Sequence, residues 1–197
     1  MEALELLQRR STPAHQLVPP APEGEDLDTI LQAGVSAPDH DGLRPWHFLL
    51  IQGAARPRLG EVFAQALRQR DPDADAASLD KQRAKPQRAP LIVAVIACVD
   101  PDNARVPAIE QILSAGAALH RMQIAAQALG YAGVWLTGPS AHDGTVAEAL
   151  GLDFDDRLVG FLYLGTPAPH AATAGPPRPA VSAHATTWSA PVAFDTW

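Results

Sequence analysis

The residues best suited to chemistry lie together in Ser36-Ala37-Pro38-Asp39-His40-Asp41-Gly42-Leu43-Arg44-Pro45-Trp46-His47-Phe48. Imidazoles, carboxylates, a guanidinium and an indole share one short segment whose backbone is fixed by Pro38, Gly42 and Pro45. Such a segment leaves polar side chains free to face a ligand, and loops carried on rigid elements are where binding groups concentrate. A second candidate is Arg9-Arg10-Ser11 near the N-terminus. Guanidinium groups take phosphate oxygens in a bidentate fork, although paired arginines at the end of a short helix also complement its dipole. His40 and His47 with Asp39 and Asp41 invite a metal reading. They flank a loop and a strand start rather than one helix face, and no Cys or His spacing matches a known site, so no metal is expected. No G-x-G-x-x-G follows a strand, and neither a P-loop nor a G-x-S-x-G elbow is present. A catalytic triad or essential general base is not visible.

The elements that must carry these residues follow from periodicity. Residues 2–9 form a short helix with Leu4 and Leu7 on one face, stopped by Thr12-Pro13. A second helix follows Pro22-Glu23-Gly24, with Leu27, Ile30 and Leu31 at helical spacing and Gly34 as its stop. The organising loop leads into a strand over 47–51, and Arg56-Pro57 opens a third helix with the stripe Leu59, Val62, Phe63 and Leu67. From Arg70 to Pro90 acidic then basic residues dominate and large apolar ones are few. A solvated, mobile excursion is the preferred expectation there, with a lid over a pocket as the alternative. Pro90 to Val99 is a continuous apolar run, read as a strand buried on both faces with Cys98 as a small core residue.

A long helix over 108–129 ends at Gly130, and its small-residue middle, Ser114-Ala115-Gly116-Ala117-Ala118, suits close approach of another helix, often a partner's. Strands follow at 131–136 and 157–165, with a short helix over 145–150 between them. The Pro-rich tail, residues 168–197, carries Trp188, Phe194 and Trp197, which are costly to leave in water. It is expected to lie extended over the surface of the domain at 1–167 or over a partner subunit.

At 197 residues, 47% hydrophobic and 19% charged, the chain has the size and composition of one globular domain. A net charge of -7 gives no support to nucleic-acid binding. One cysteine fits a reducing compartment, and the acidic start Met1-Glu2-Ala3-Leu4-Glu5 is unlike a secretory signal. No apolar run reaches membrane-spanning length. The expectation is a soluble, cytoplasmic, single-domain protein.

Taken in order, Arg9-Arg10-Ser11, Ala37-Pro38, Pro45-Trp46-His47-Phe48, Ser114-Ala115-Gly116, Gly133-Val134-Trp135-Leu136-Thr137-Gly138 and Gly160-Phe161-Leu162-Tyr163-Leu164-Gly165 resemble the flavin-dependent nitroreductase family, closest to its compact branch. The resemblance covers roughly residues 1–167. It implies an α+β, three-layer fold with a central, mostly antiparallel sheet flanked by helices, and a domain-spanning homodimer with FMN at its interface. The long helix would be the dimer core. Arg9, Arg10 and Ser11 match the segment that contacts the FMN phosphate and ribityl chain. Ser36 and His40 match the loop that reaches FMN from the other subunit, and Trp135, Leu136 and Thr137 match the strand end beside the isoalloxazine ring. Ala125 to Gly130 correspond to a nicotinamide contact.

The implied activity is FMN-dependent NAD(P)H oxidation by a ping-pong mechanism. The electrons would pass to a nitroaromatic, a quinone or an unknown acceptor, with the redox chemistry carried by the cofactor. A flavin-dependent dehydrogenase and a non-catalytic flavin-binding protein are the alternatives. Departures from the pattern are Pro13-Ala14-His15-Gln16 where many relatives carry a further arginine, Arg44 where a Gln often precedes Pro-Trp, and the apolar Leu136.

Overall fold

The computed structural model describes residues 3–9, 17–169 and 179–188. Its centre is strand β3 (Leu91–Ala97), every residue of which is buried, as its unbroken apolar run requires. Alternate side chains enter two cores. Leu91, Val93 and Val95 pack with Ile30, Leu119 and Met122 on one face, while Ile92, Ala94 and Ile96 pack with Phe63, Phe161 and Tyr163 on the other. Phe63 and Phe161 meet edge to face at 5.4 Å between centroids.

Antiparallel neighbours flank β3. On one side is β2 (Trp46–Gln52); on the other is β5 (Arg157–Pro167), which also pairs with β4 (Ala132–Leu136) and with the short β1 (Leu17–Val18). β1 had no counterpart in the sequence reading. The register between β3 and β5 shifts at Val95/Ile96, a bulge beside Gly160. Helices α2 (Gly24–Val35) and α5 (Ala108–Ala128) cover the first face, and α3 (Ala55–Arg70) and α6 (Gly144–Ala149) serve the second. The expected α+β layering, with helices on both faces of an antiparallel sheet, is what the chain forms.

Some expectations are corrected. Gly34 does not stop α2; it lies buried in the last turn, where a Cβ would sit 2.8 Å from Met122 Cγ, so its absent side chain lets α2 and α5 touch. Residues 70–90 are not a loose excursion. They form α4 (Ala76–Ala84), N-capped by Asp75 accepting from the Ser78 N–H at 2.8 Å, and a 3-10 turn over Lys85–Arg88. Gly60 of α3 abuts the Arg83 backbone so closely that a Cβ would lie 2.5 Å from its carbonyl oxygen, and Leu79 and Pro86 bury themselves alongside. Cys98 is not a core residue, because β3 ends at Ala97 and the cysteine is exposed. Partial burial, then Asp156 and Asp153, push its thiol up.

Of the tail, residues 179–188 are exposed throughout, Trp188 included. Phe194 and Trp197 lie outside the described residues, and with them most of the expectation about its packing. Among the described residues no helix is long and apolar enough to cross a membrane, and no group of His, Cys, Asp and Glu could hold a metal ion.

Candidate functional site

The end of β4 is where the expected residues come closest to forming a site. Successive side chains of a strand point to opposite faces, so Trp135 and Leu136 open onto different clefts. Trp135 lines a groove of about 950 Å³ between α5 and the start of β5, walled by Ile112, Leu113, Gly116, Leu158 and Val159. Its indole is 37% exposed yet fixed. Nε1 donates to the Val159 carbonyl at 3.3 Å, and Gly160 lies beneath so closely that a Cβ there would be 2.4 Å from Nε1.

On the other side of the strand, Leu136 and Thr137 line a cleft of about 170 Å³ with Lys85, Arg88, Ser140 and Tyr163. Two half-buried cations meet here, and among the described residues neither has a carboxylate partner. Burial, followed by the neighbouring Arg88 and Arg70 charges, holds the Lys85 ammonium below its usual range. Tyr163 is 3% exposed, its hydroxyl makes no hydrogen bond among the described residues, and burial pushes it up to about 12, so it stays a neutral donor. Cations without a carboxylate partner beside a hydroxyl donor make a pocket suited to anionic or acceptor oxygens.

Ser36 and His40 are not in either cleft. Ser36 closes α2 and faces a third hollow with Leu7, Arg121 and Ala125. Its hydroxyl donates to the Ala33 carbonyl at 2.8 Å and accepts from Arg121 Nη1 at 3.0 Å; the same guanidinium also bonds the Ser36 carbonyl. One lone pair is left for a ligand and no donor. His40 stands in a 3-10 turn (His40–Gly42), with Nδ1 2.8 Å from Glu110 Oε2 at the start of α5. Arg9 ends helix α1 (Ala3–Arg9), while its side chain, Arg10 and Ser11 lie outside the described residues. Within the chain the expected cofactor residues therefore form separate groups. Trp135, Leu136 and Thr137 are together at one strand end; Ser36 and His40 are apart from them along α5.

Uncovered apolar surface runs beside these clefts. Ile109 and Leu113 on α5 are 59% and 64% exposed, and Leu4 and Leu7 on α1 are exposed as well.

The model of the nitroreductase family matches residues 6–166. The chain belongs to the nitroreductase family. Its resemblance to that family, read from the order of short motifs, is borne out. It is 46% identical over 173 residues to the Escherichia coli protein named "Putative NAD(P)H nitroreductase YdjA", covering 88% of this chain and 92% of that one. Its fold is similar to a nitroreductase-like protein from Bacillus cereus, at 20% identity, with a TM-score of 0.82 over 95% of this chain and 96% of the other. A solved nitroreductase with bound FMN from Bacteroides fragilis superposes with a TM-score of 0.71 at 22% identity, covering 96% and 100% of the two chains. This member of the family adds residues that the sequence reading passed over. Lys85 and Arg88 were assigned to a mobile excursion, although a basic pair directly ahead of a fully buried strand, with no acidic residue beside it, was a usable signal. Tyr163 and Glu110 carried no signal of their own and became visible only through what they face.

Proposed function

We propose that this protein is a homodimeric FMN-dependent NAD(P)H oxidoreductase that reduces a nitroaromatic, quinone or related acceptor in the cytoplasm. The observation that carries the reading is the end of β4, where a fixed, part-exposed indole opens on one side and an unpaired Lys85–Arg88 pair with the Tyr163 hydroxyl opens on the other. Those residues fit a flavin, which combines a flat apolar ring, a polar acceptor edge and a doubly charged phosphate. The strand end of Trp135, Leu136 and Thr137 would pass beside the ring. Lys85 would face the acceptor edge, where its positive charge favours the electron-rich reduced state.

Arg9, Arg10 and Ser11 would hold the phosphate. Ser36 and His40, set apart from the strand end in their own protomer, would complete the site of the partner across the exposed apolar surface of α5 and α1. The Pro-rich tail, residues 168–197, would pack on the domain or on that partner. A flavin held there would supply ping-pong hydride transfer from NAD(P)H to the acceptor. The family membership and the name of the Escherichia coli relative support the nicotinamide reductant, and the Bacteroides fragilis structure supports the choice of flavin.

Purified protein should be yellow or take up added FMN stoichiometrically, elute as a dimer, and oxidise NADH or NADPH with menadione or nitrofurazone as acceptor. Protein that neither contains nor binds FMN overturns the reading.

A further inference from the structure

The loop around His40 is held in an unfavourable shape by specific tethers. Asp41 and Arg44 have φ of +64 and +51, left-handed values that residues with side chains adopt only where their surroundings impose them. The Arg44 N–H donates to Asp39 Oδ2 at 2.7 Å, and Arg105 pairs with Asp41. These two contacts set the course of the loop. The third, between His40 Nδ1 and Glu110 Oε2 at 2.8 Å, acts on one ring.

Glu110 lies in the first turn of α5 with its carboxylate facing the His40 ring. A carboxylate only accepts hydrogen bonds, so the ring nitrogen facing it carries the hydrogen. Neutral histidine in water prefers the opposite tautomer, with hydrogen on Nε2. A carboxylate at Nδ1 reverses that preference in a neutral ring and leaves the Nε2 lone pair for another partner.

We propose that Glu110 is a positioning residue: it locks His40 in the Nδ1–H tautomer, so that Nε2 accepts a hydrogen bond from an O–H or N–H of the flavin held by the partner subunit. The inference rests on the reading above, in which this loop reaches FMN across the interface. Loop shape and ring tautomer have separate causes. Asp39 and Arg105 place the ring; Glu110 decides which of its nitrogens can accept.

Long-range proton–nitrogen spectra of the full-length protein labelled with 15N-histidine test this with and without FMN, the His40 signals being identified by their loss in His40→Asn. The wild type should show hydrogen on Nδ1 in both states. In Glu110→Ala the hydrogen should move to Nε2, and the FMN dissociation constant, read by flavin fluorescence, should rise roughly fivefold. Glu110→Gln keeps an acceptor oxygen in place and should retain both the tautomer and the affinity within about twofold. Hydrogen on Nε2 in the wild type overturns the proposal. So does an unchanged tautomer in Glu110→Ala, or Glu110→Gln behaving like Glu110→Ala. If the wild type binds no FMN, the functional reading fails instead, while the spectra of the unliganded protein still decide whether Glu110 sets the tautomer.

Discussion

Gly160→Ala probes the geometry on which the candidate site depends. A Cβ at this position would lie 2.4 Å from Trp135 Nε1, 2.8 Å from Cδ1 and 3.1 Å from the Leu136 carbonyl oxygen. Comfortable contact needs about 3.5 Å, so the indole must move by roughly 1 Å. It has room, because the groove beside it is open, but moving breaks the Nε1–Val159 hydrogen bond, worth about 0.5–1.5 kcal/mol. The φ of +153 at Gly160 suits few side chains, and forcing alanine to adopt it costs about 1–3 kcal/mol more. The expected loss is therefore about 3 kcal/mol, which at a urea m-value of about 2 kcal/mol/M lowers the unfolding midpoint by about 1.5 M.

The two contributions separate in a double-mutant cycle with Trp135→Leu. That second change removes the clash and the hydrogen bond while leaving the backbone strain, so a coupling of about 1 kcal/mol is expected. FMN affinity should fall in Gly160→Ala, because the displaced indole would occupy ring space. A midpoint within 0.2 M of wild type, or a coupling near zero, would refute the claim that Gly160 and Val159 fix the indole.

Other perturbations address the remaining parts of the site. Lys85→Met should weaken FMN binding roughly tenfold, yet stabilise the unliganded protein at neutral pH, since it removes an ammonium that burial and two arginines disfavour. The sign follows from linkage. Below the ordinary lysine range the unfolded chain holds the proton more tightly than the folded one, so wild-type stability rises with pH through that interval, and the slope should flatten in Lys85→Met. Arg9→Ala and Arg10→Ala should each raise the FMN dissociation constant more than about tenfold in a fluorescence titration; unchanged affinity in both would refute the phosphate assignment. Limited proteolysis should spare residues 70–90 in the wild type and cut them in Gly60→Val, whose side chain meets the Arg83 backbone and lifts α4 from α3. Equal cutting of the two proteins would mean that this contact does not hold the segment.

What the sequence revealed and what it hid have physical causes. β3 was legible because a strand buried on both faces needs an unbroken apolar run, and α5 because periodicity and Gly130 bound it clearly. The error over 70–90 came from equating few large apolar residues with little burial. Helix α4 is held by a glycine-to-backbone approach, a capped N-terminus and the Arg83 bonds to Glu61 and Asp80, none of which raises the hydrophobicity of its own segment. Cys98 was misplaced by the opposite habit, an apolar run being continued to Val99, two residues past the point where β3 ends.

Trp135 and His40 announce themselves by residue type, whereas Gly160 and Glu110, which fix where the indole and the imidazole point, look like an ordinary strand glycine and an ordinary first-turn acid. A motif can thus name the side chains that would meet a cofactor. The residues that orient them are found only through distances such as 2.4 Å beneath an indole and 2.8 Å beside a ring nitrogen. Transfer of function from relatives by matching the first set alone would therefore miss substitutions at Gly160 or Glu110 that leave every motif residue in place and misdirect the site.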